Sequence, residues 1–130
     1  MTVRLNHTIV AARDAASSAR FLAEMLGLAP PVTFGHFEVV TVGDTSLDFL
    51  ASDGEISPQH YAFLVSESEF DGIFERIRGR DLPYWADPYR HQPGEINTRD
   101  GGRGVYWPDP DGHLLEILTR PYGSGDAPTG

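Results

Sequence analysis

The feature that most limits what this chain can fold into is an internal repeat. His7 maps onto His60 and Phe21 onto Phe74 at one common offset, and Leu47-Asp48-Phe49-Leu50 maps onto Leu115-Glu116-Ile117-Leu118 further on. Each copy reads as a strand, a helix and then more strands. A repeat of this size is one supersecondary unit used twice, each copy burying an apolar face it cannot cover alone. The 130 residues suit one domain made of two such small modules.

The elements follow from local pattern. Residues 3–10 alternate, with Leu5, His7 and Ile9 on one face and Asn6, Thr8 and Val10 on the other. Asp14 is placed to cap a helix whose apolar stripe is Ser18, Phe21, Leu22 and Met25. Gly27 suits its end, and Pro30-Pro31 bars continuation. Residues 37–42 and 46–51 read as a hairpin around Gly43-Asp44. After a connector at 53–58 the order restarts. Residues 59–65 form a strand, and Ser66-x-x-Glu69 is a capping box opening a helix. Phe70, Ile73, Phe74 and Ile77 are its stripe, and Gly79 its expected stop. Residues 82–86 suit a short edge strand, because Pro83 cannot donate in a central one. Residues 87–102 form the longest loop, and long loops in compact domains are often functional. Residues 103–107 and 113–119 are the final strand pair.

Composition narrows the function. The net charge of −9 argues against a nucleic-acid partner or an anionic membrane surface. All ten basic residues are Arg, so lysine Schiff-base and P-loop lysine chemistry are excluded. With no Cys, thiolate nucleophiles, disulfides and Cys-ligated zinc are excluded too. No apolar signal segment opens the chain and no run approaches a membrane span, so a cytoplasmic location is expected. Residues 123–130 are rich in Gly, Ser and Pro and are expected to be a flexible tail.

The chemistry points to three residues. Glu116 lies in an apolar run, between Leu114, Leu115, Ile117 and Leu118. A carboxylate there must be neutralised, paired or bound to a metal. His7 and His60 open two other strands. Two imidazoles and a carboxylate on three strands are the ligand set of an open divalent-metal site. These ligands do not choose among Fe2+, Mn2+, Ni2+, Co2+ and Zn2+. Such an ion would chelate neighbouring substrate oxygens and polarise them.

The most specific stretch is Val105-Tyr106-x-x-Asp109-Pro110-x-Gly112-x-x-x-Glu116. It resembles part of the extradiol dioxygenase fingerprint. From about residue 3 to 120 the chain resembles the vicinal oxygen chelate superfamily of glyoxalases, extradiol dioxygenases, fosfomycin-resistance enzymes and bleomycin-resistance proteins. The resemblance implies an α+β fold: two tandem βαβββ modules forming a cupped eight-stranded mixed sheet. It implies one domain over 1–122, with modules at about 3–53 and 58–120, and a homodimer. It also places the metal ligands at His7, His60 and Glu116. The extradiol pattern has a further His shortly before Val105, and here Asn97, Thr98 and Arg99 fill that window.

By the same resemblance Asp48 holds a glyoxalase ligand position, one methylene shorter than usual, and is expected near the substrate or simply solvated. Tyr106 is a candidate proton donor or a cup-filling phenol. Trp85 and Trp107, with Tyr84 and Tyr89, are either an aromatic wall for the substrate or packing. His113, after Asp-Pro-Asp-Gly, is expected to be a hairpin residue. The reading is a metal-dependent lyase, isomerase or dioxygenase acting on a small oxygenated molecule. The alternative is a metal-free protein that sequesters an aromatic compound or antibiotic.

Overall fold

A computed structural model describes residues 2–125. It divides into two compact units, Met1–Ser57 and Pro58–Gly130. The chain is α+β; among the described residues each unit contains one α-helix and one sheet, and the second also has a 3-10 turn at Arg99–Gly101.

In the first unit the elements are β1 (His7–Ala12), α1 (Ala15–Leu26), β2 (Val32–Phe34), β3 (Phe37–Val42) and β4 (Thr45–Ala51). The strand order is β1-β4-β3-β2. β1 runs parallel to β4, and the two later pairs are antiparallel. The parallel pair needs a crossover, and α1 supplies it. Asp14 caps α1 by accepting from the Ser17 amide at 3.0 Å, and Gly27 ends it in the left-handed region at φ 69°. α1 packs on β1, β3 and β4. Val10, Val40, Leu47 and Phe49 are buried on that face, and alternation sends Ile9, Val39 and Asp48 to the other.

The second unit repeats the scheme with β5 (His60–Leu64), α2 (Glu67–Gly79), β6 (Gly104–Pro108) and β7 (Leu114–Leu118). The order is β5-β7-β6, again with a parallel first pair. Ser66 accepts from the Glu69 amide at 3.1 Å, and Glu69 accepts from the Ser66 amide at 2.8 Å. This capping box completes the α2 N-terminus, an arrangement that contributes about 1 kcal/mol. Arg103 then ties β6 to the helix start. It bonds Glu67 and Asp71, each at 2.8 Å, and lies over the Phe70 ring.

The registers of the two sheets agree. Ile9 faces Asp48 in one, and Ala62 faces Glu116 in the other. The repeat read from the residues is thus a repeat of strand pairing.

The strand count corrects the expectation of eight. The described residues hold four strands in one sheet and three in the other. The missing strand is the edge at residues 82–86. Trp85 alone pairs there, exchanging two 2.9 Å hydrogen bonds with Tyr106. Pro83 has no amide to extend the ladder. The other side of Trp85 is taken by the chain doubling back, with the Gly94 amide donating to Tyr84 and the Ala86 amide to Gln92. β1 also begins later than expected, at His7, and β2 is a short strand beyond Pro31 that the pattern does not signal. Of the expected tail, residues 126–130 lie outside the described residues. The amides of Gly123 and Gly125 donate to the Asp100 carboxylate at 3.3 and 3.2 Å.

Candidate metal centre

The second unit brings together three of the residues singled out from the sequence. Tyr106, Glu116 and Ala62 are neighbours across three strands, and His60 enters from the start of β5 on the same face. The His60 Nε2 lies 3.0 Å from Glu116 Oε1. The His60 ring stacks on Tyr106 with centroids 5.8 Å apart. Glu116 is only 2 % exposed and Tyr106 is fully buried.

The tautomer of His60 follows from its other nitrogen. Nδ1 lies 3.0 Å from the Leu114 carbonyl oxygen, which can only accept. Nδ1 therefore carries the proton. In the neutral ring Nε2 is then a bare lone pair, and it faces a carboxylate oxygen that is also an acceptor. Two acceptors at that separation need a cation between them, either a proton or a metal ion. A histidine whose distal nitrogen is fixed by a backbone carbonyl and a buried carboxylate beside it are donors suited to a divalent ion.

His7 belongs to the first unit and is exposed at the start of β1. Its Nδ1 lies 2.7 Å from Asn6 Oδ1, so the amide oxygen holds the Nδ1 proton and leaves Nε2 as the free lone pair. Among the described residues no group of three or more acidic, His or Cys side chains is gathered closely enough to hold a metal ion. Asp48, in the first unit, is half-buried, and its carboxylate accepts from the Ser46 hydroxyl at 2.8 Å.

Tyr106 is held by partners that the sequence did not suggest. Arg99 Nη1 donates to the phenol oxygen at 3.1 Å, and the Tyr122 hydroxyl lies 3.4 Å away. Burial, the Tyr122 contact and the nearby Glu116 charge push the phenol well above its usual range, and Arg99 only partly opposes them. Tyr106 is therefore a protonated phenol at neutral pH. Arg99 reaches it from the loop because Asn97 pairs with Gly104 across the β6 edge. A Cβ on Gly104 would meet the Asn97 side chain at 2.9 Å and push its amide away from its bonds to the Ala86 carbonyl and the Arg99 amide. Only the replacement of a family histidine by the Asn97–Arg99 window hinted at this.

The remaining candidates are packed. Trp107 is fully buried, and Trp85 is buried with the Arg90 guanidinium 4.7 Å above its ring. Tyr84 packs edge-on against Phe74. His113 is buried, accepts from the Gln59 amide at 3.0 Å, and closes the Asp109 turn, as expected of a hairpin residue.

A match to the family described as the Glyoxalase/Bleomycin resistance protein/Dioxygenase superfamily spans residues 4–117. The chain belongs to that superfamily. Among solved superfamily-like structures, "Oxidase ChaP-H1" shares 67 % identity, with a TM-score of 0.92 over 94 % of this chain and 99 % of that one. "Oxidase ChaP-H2" shares 64 %, with a TM-score of 0.94 over 97 % and 100 %. The "Glutathione transferase FosA" of Serratia marcescens is 29 % identical over 90 % of this chain and 81 % of its own. No helix among the described residues is long and apolar enough to cross a membrane.

Proposed function

We propose that this protein is a divalent-metal-dependent enzyme of the oxidase or dioxygenase type, acting on a small oxygenated molecule, with His7, His60 and Glu116 as ligands. The observation that carries the reading is the pair of acceptors formed by the exposed His60 and the buried Glu116, 3.0 Å apart. The oxidase names of two relatives sharing 67 % and 64 % identity favour this chemistry over the transferase named at 29 %.

When bound, the ion supplies Lewis-acid chelation of neighbouring oxygens and, as Fe2+, redox chemistry with dioxygen. The chain does the rest. Leu114 orients the His60 ring, so Nε2 presents its lone pair. Glu116 supplies one negative charge in a nearly dry setting, where its field is strong. Tyr106 holds a proton beside the same carboxylate. Because Arg99 donates to its oxygen, the O–H is free to point elsewhere, so Tyr106 can give a proton to a substrate oxygen. On this reading Asp48, bonded to Ser46, is a substrate-binding group contributed by the first unit.

The reading includes a homodimer in which pairing of units brings His7 to His60 and Glu116. His7 and His60 both open edge strands and both are exposed. The test begins with ion counting after anaerobic loading with Fe2+, Mn2+, Ni2+, Co2+ or Zn2+. One ion per chain is expected, and none for His7→Ala, His60→Ala or Glu116→Gln. Mixing His7→Ala with Glu116→Gln chains should restore one site per pair of chains if the ligands come from two copies. A wild-type chain that holds no ion, or variants that hold it equally well, would remove the metal reading. Oxygen uptake with catechols, naphthols and hydroxyquinones, tested on the loaded protein, would then search for the substrate.

A further inference from the structure

His60 opens β5 at the point where the parallel ladder with β7 begins, and β5 is an edge strand. Chain at such an end opens locally unless something ties it down. The tie here is a side chain. The Gln59 amide donates to His113 Nδ1 at 3.0 Å, and the Leu114 amide donates to the Gln59 carbonyl at 2.8 Å. In a parallel ladder an N–H is normally met by a backbone carbonyl of the neighbouring strand. One step further along, this ladder would offer Gln59 the Gly112 carbonyl. Gly112 instead belongs to the turn, at φ 88°, with its amide donating to the Asp109 carbonyl at 3.1 Å. The His113 imidazole takes the place of that carbonyl. Its ring lies edge-on to Tyr61, centroids 5.9 Å apart, and alternation puts Tyr61 and Gln59 on the face opposite His60. His113 thus works from behind the sheet, through the peptide that joins Gln59 to His60.

His113 is itself held still. It is 1 % exposed, its amide donates to the Asp109 carboxylate at 2.9 Å, and its carbonyl accepts from the Asp109 amide at 2.9 Å. Since the Gln59 N–H can only donate, Nδ1 is the bare nitrogen of the neutral ring. The first unit repeats the arrangement with different chemistry. Thr45 stands three residues before Asp48, as His113 stands three before Glu116. The Thr45 hydroxyl donates to the Leu5 carbonyl at 2.8 Å, and the Ser46 amide donates to the Asn6 carbonyl at 2.9 Å. Leu5 and Asn6 lead into His7 as Pro58 and Gln59 lead into His60. In both units, then, the side chain three residues before the acid grips the backbone just ahead of the strand-opening histidine.

We propose that His113 is a positioning residue of the candidate metal centre. It fixes the start of β5 through the Gln59 amide and so holds His60 where its ring meets both the Leu114 carbonyl and Glu116. Thr45 does the same for His7. The inference rests on the functional reading above for calling His60 and His7 ligands. The clamp itself stands on the two recurring contacts.

The test compares His113→Phe, which keeps a ring and loses the acceptor, with His113→Asn, whose side-chain oxygen can take the Nδ1 position. Amide hydrogen exchange is read first, on the full ion-free chain, at a temperature where every variant is folded. In His113→Phe the Gln59 and Leu114 amides should exchange about tenfold or more faster than in wild type, as local opening implies. The Val65 amide, bonded to the Leu118 carbonyl at the other end of the same strand pair, should keep its rate. Zn2+ titration should then show affinity about tenfold or more weaker in His113→Phe, the range for a group that acts behind a metal ligand. His113→Asn should recover most of both losses. If His113→Phe does not fold, His113→Gln, whose amide reaches only the Nε2 position, replaces it, and Thr45→Val against Thr45→Ser repeats the Zn2+ comparison in the first unit. Wild-type exchange at Gln59 in the acceptor-free variant overturns the proposal. So does an acceleration shared equally by Val65, which marks general destabilisation, or wild-type Zn2+ affinity despite faster exchange at Gln59. A wild-type chain that takes up no Zn2+ ends the metal reading instead, and the exchange rates still decide whether His113 holds the strand that carries His60.

Discussion

In the first unit Asp48 lies opposite Ile9 and Val39, and its carboxylate is satisfied by Ser46 on its own strand. In the second unit Glu116 holds the corresponding register, opposite Ala62 and Tyr106, and faces the His60 ring. The backbone pairing is the same, and the chemistry is not. The longer acid lies against an imidazole with no local hydroxyl donor, whereas the shorter acid has one two residues away. Where Val39 gives the first unit an inert neighbour, Tyr106 gives the second a phenol. A duplicated scaffold thus sets one acid against a serine hydroxyl and the other against an imidazole, and the two can be compared directly.

The largest expected contrast is between Glu116→Gln and Asp48→Asn. Glu116→Gln should reduce metal affinity more than about 100-fold, since even an outer-shell change commonly costs 10–100-fold. Asp48→Asn should alter it less than about twofold. Added Zn2+ should raise the melting temperature of the wild type and leave that of Glu116→Gln unchanged. Calorimetry with and without Zn2+ checks this, and an equal rise in both would mean that Glu116 does not hold the ion.

A smaller effect separates Tyr106 from its positional counterpart Val39. Once a substrate is found, Tyr106→Phe should lower turnover by about 100-fold, within the range for a positioned proton donor. Metal content should stay at the wild-type level. Val39→Ala should leave turnover near wild type. If Tyr106→Phe also preserves turnover, the phenol is packing for His60 and nothing more.

Much of this arrangement was legible from the residues alone. Offset and alternation put His60 and Glu116 in corresponding parts of one unit, and caps at Asp14, Gly27 and Ser66 act locally, so their types reveal them. β2 was not legible, because three exposed residues leave no alternating core face to read. The edge at residues 82–86 was only half legible. Pro83 predicts an edge, but nothing local says the chain will fold back onto Trp85. Arg99 was invisible for a different reason. Its contact with Tyr106 depends on a loop whose path is set by the Asn97–Gly104 pairing and by Asp87, which accepts from the His91 and Gln92 amides. The two tryptophans leave two readings open for a related cause: large aromatic rings read alike whether they face a ligand or a core.

The helix starts offer a third contrast. α1 has no acid in its first turn, whereas α2 has Glu67 and Glu69 there, and Arg103 is clamped between Glu67 and Asp71. Ser66→Ala and Asp14→Ala should each cost about 1 kcal/mol, or roughly 3–6 °C in a chain of this size. Arg103→Ala should cost about 1 kcal/mol, since its ion pairs are partly solvated and its stack on Phe70 adds packing. Equal melting of Arg103→Ala and wild type would mean the clamp is ornamental.

The smallest expected effect lies in the turn between β6 and β7, which has no counterpart at the Gly43-Asp44 hairpin of the first unit. Asp109 is buried, and that burial raises its carboxyl above the usual range, although the His113 and Asp111 amides pull the other way. The sign follows from linkage. A folded-state pKa above the unfolded one means the native protein binds the proton more tightly. The stabilising contribution is then full below the unfolded value near pH 4 and is lost as pH rises through the folded value. At neutral pH the ionised Asp109 is therefore a cost. Asp109→Asn keeps an oxygen to accept from the Asp111 and His113 amides, now 2.8 and 2.9 Å from the carboxylate, and removes that charge. It should be slightly more stable than wild type at pH 7, and the advantage should vanish near pH 4. Melting curves across that window check it. A variant less stable than wild type at pH 7 would mean that the amide bonds to the charged carboxylate outweigh its burial.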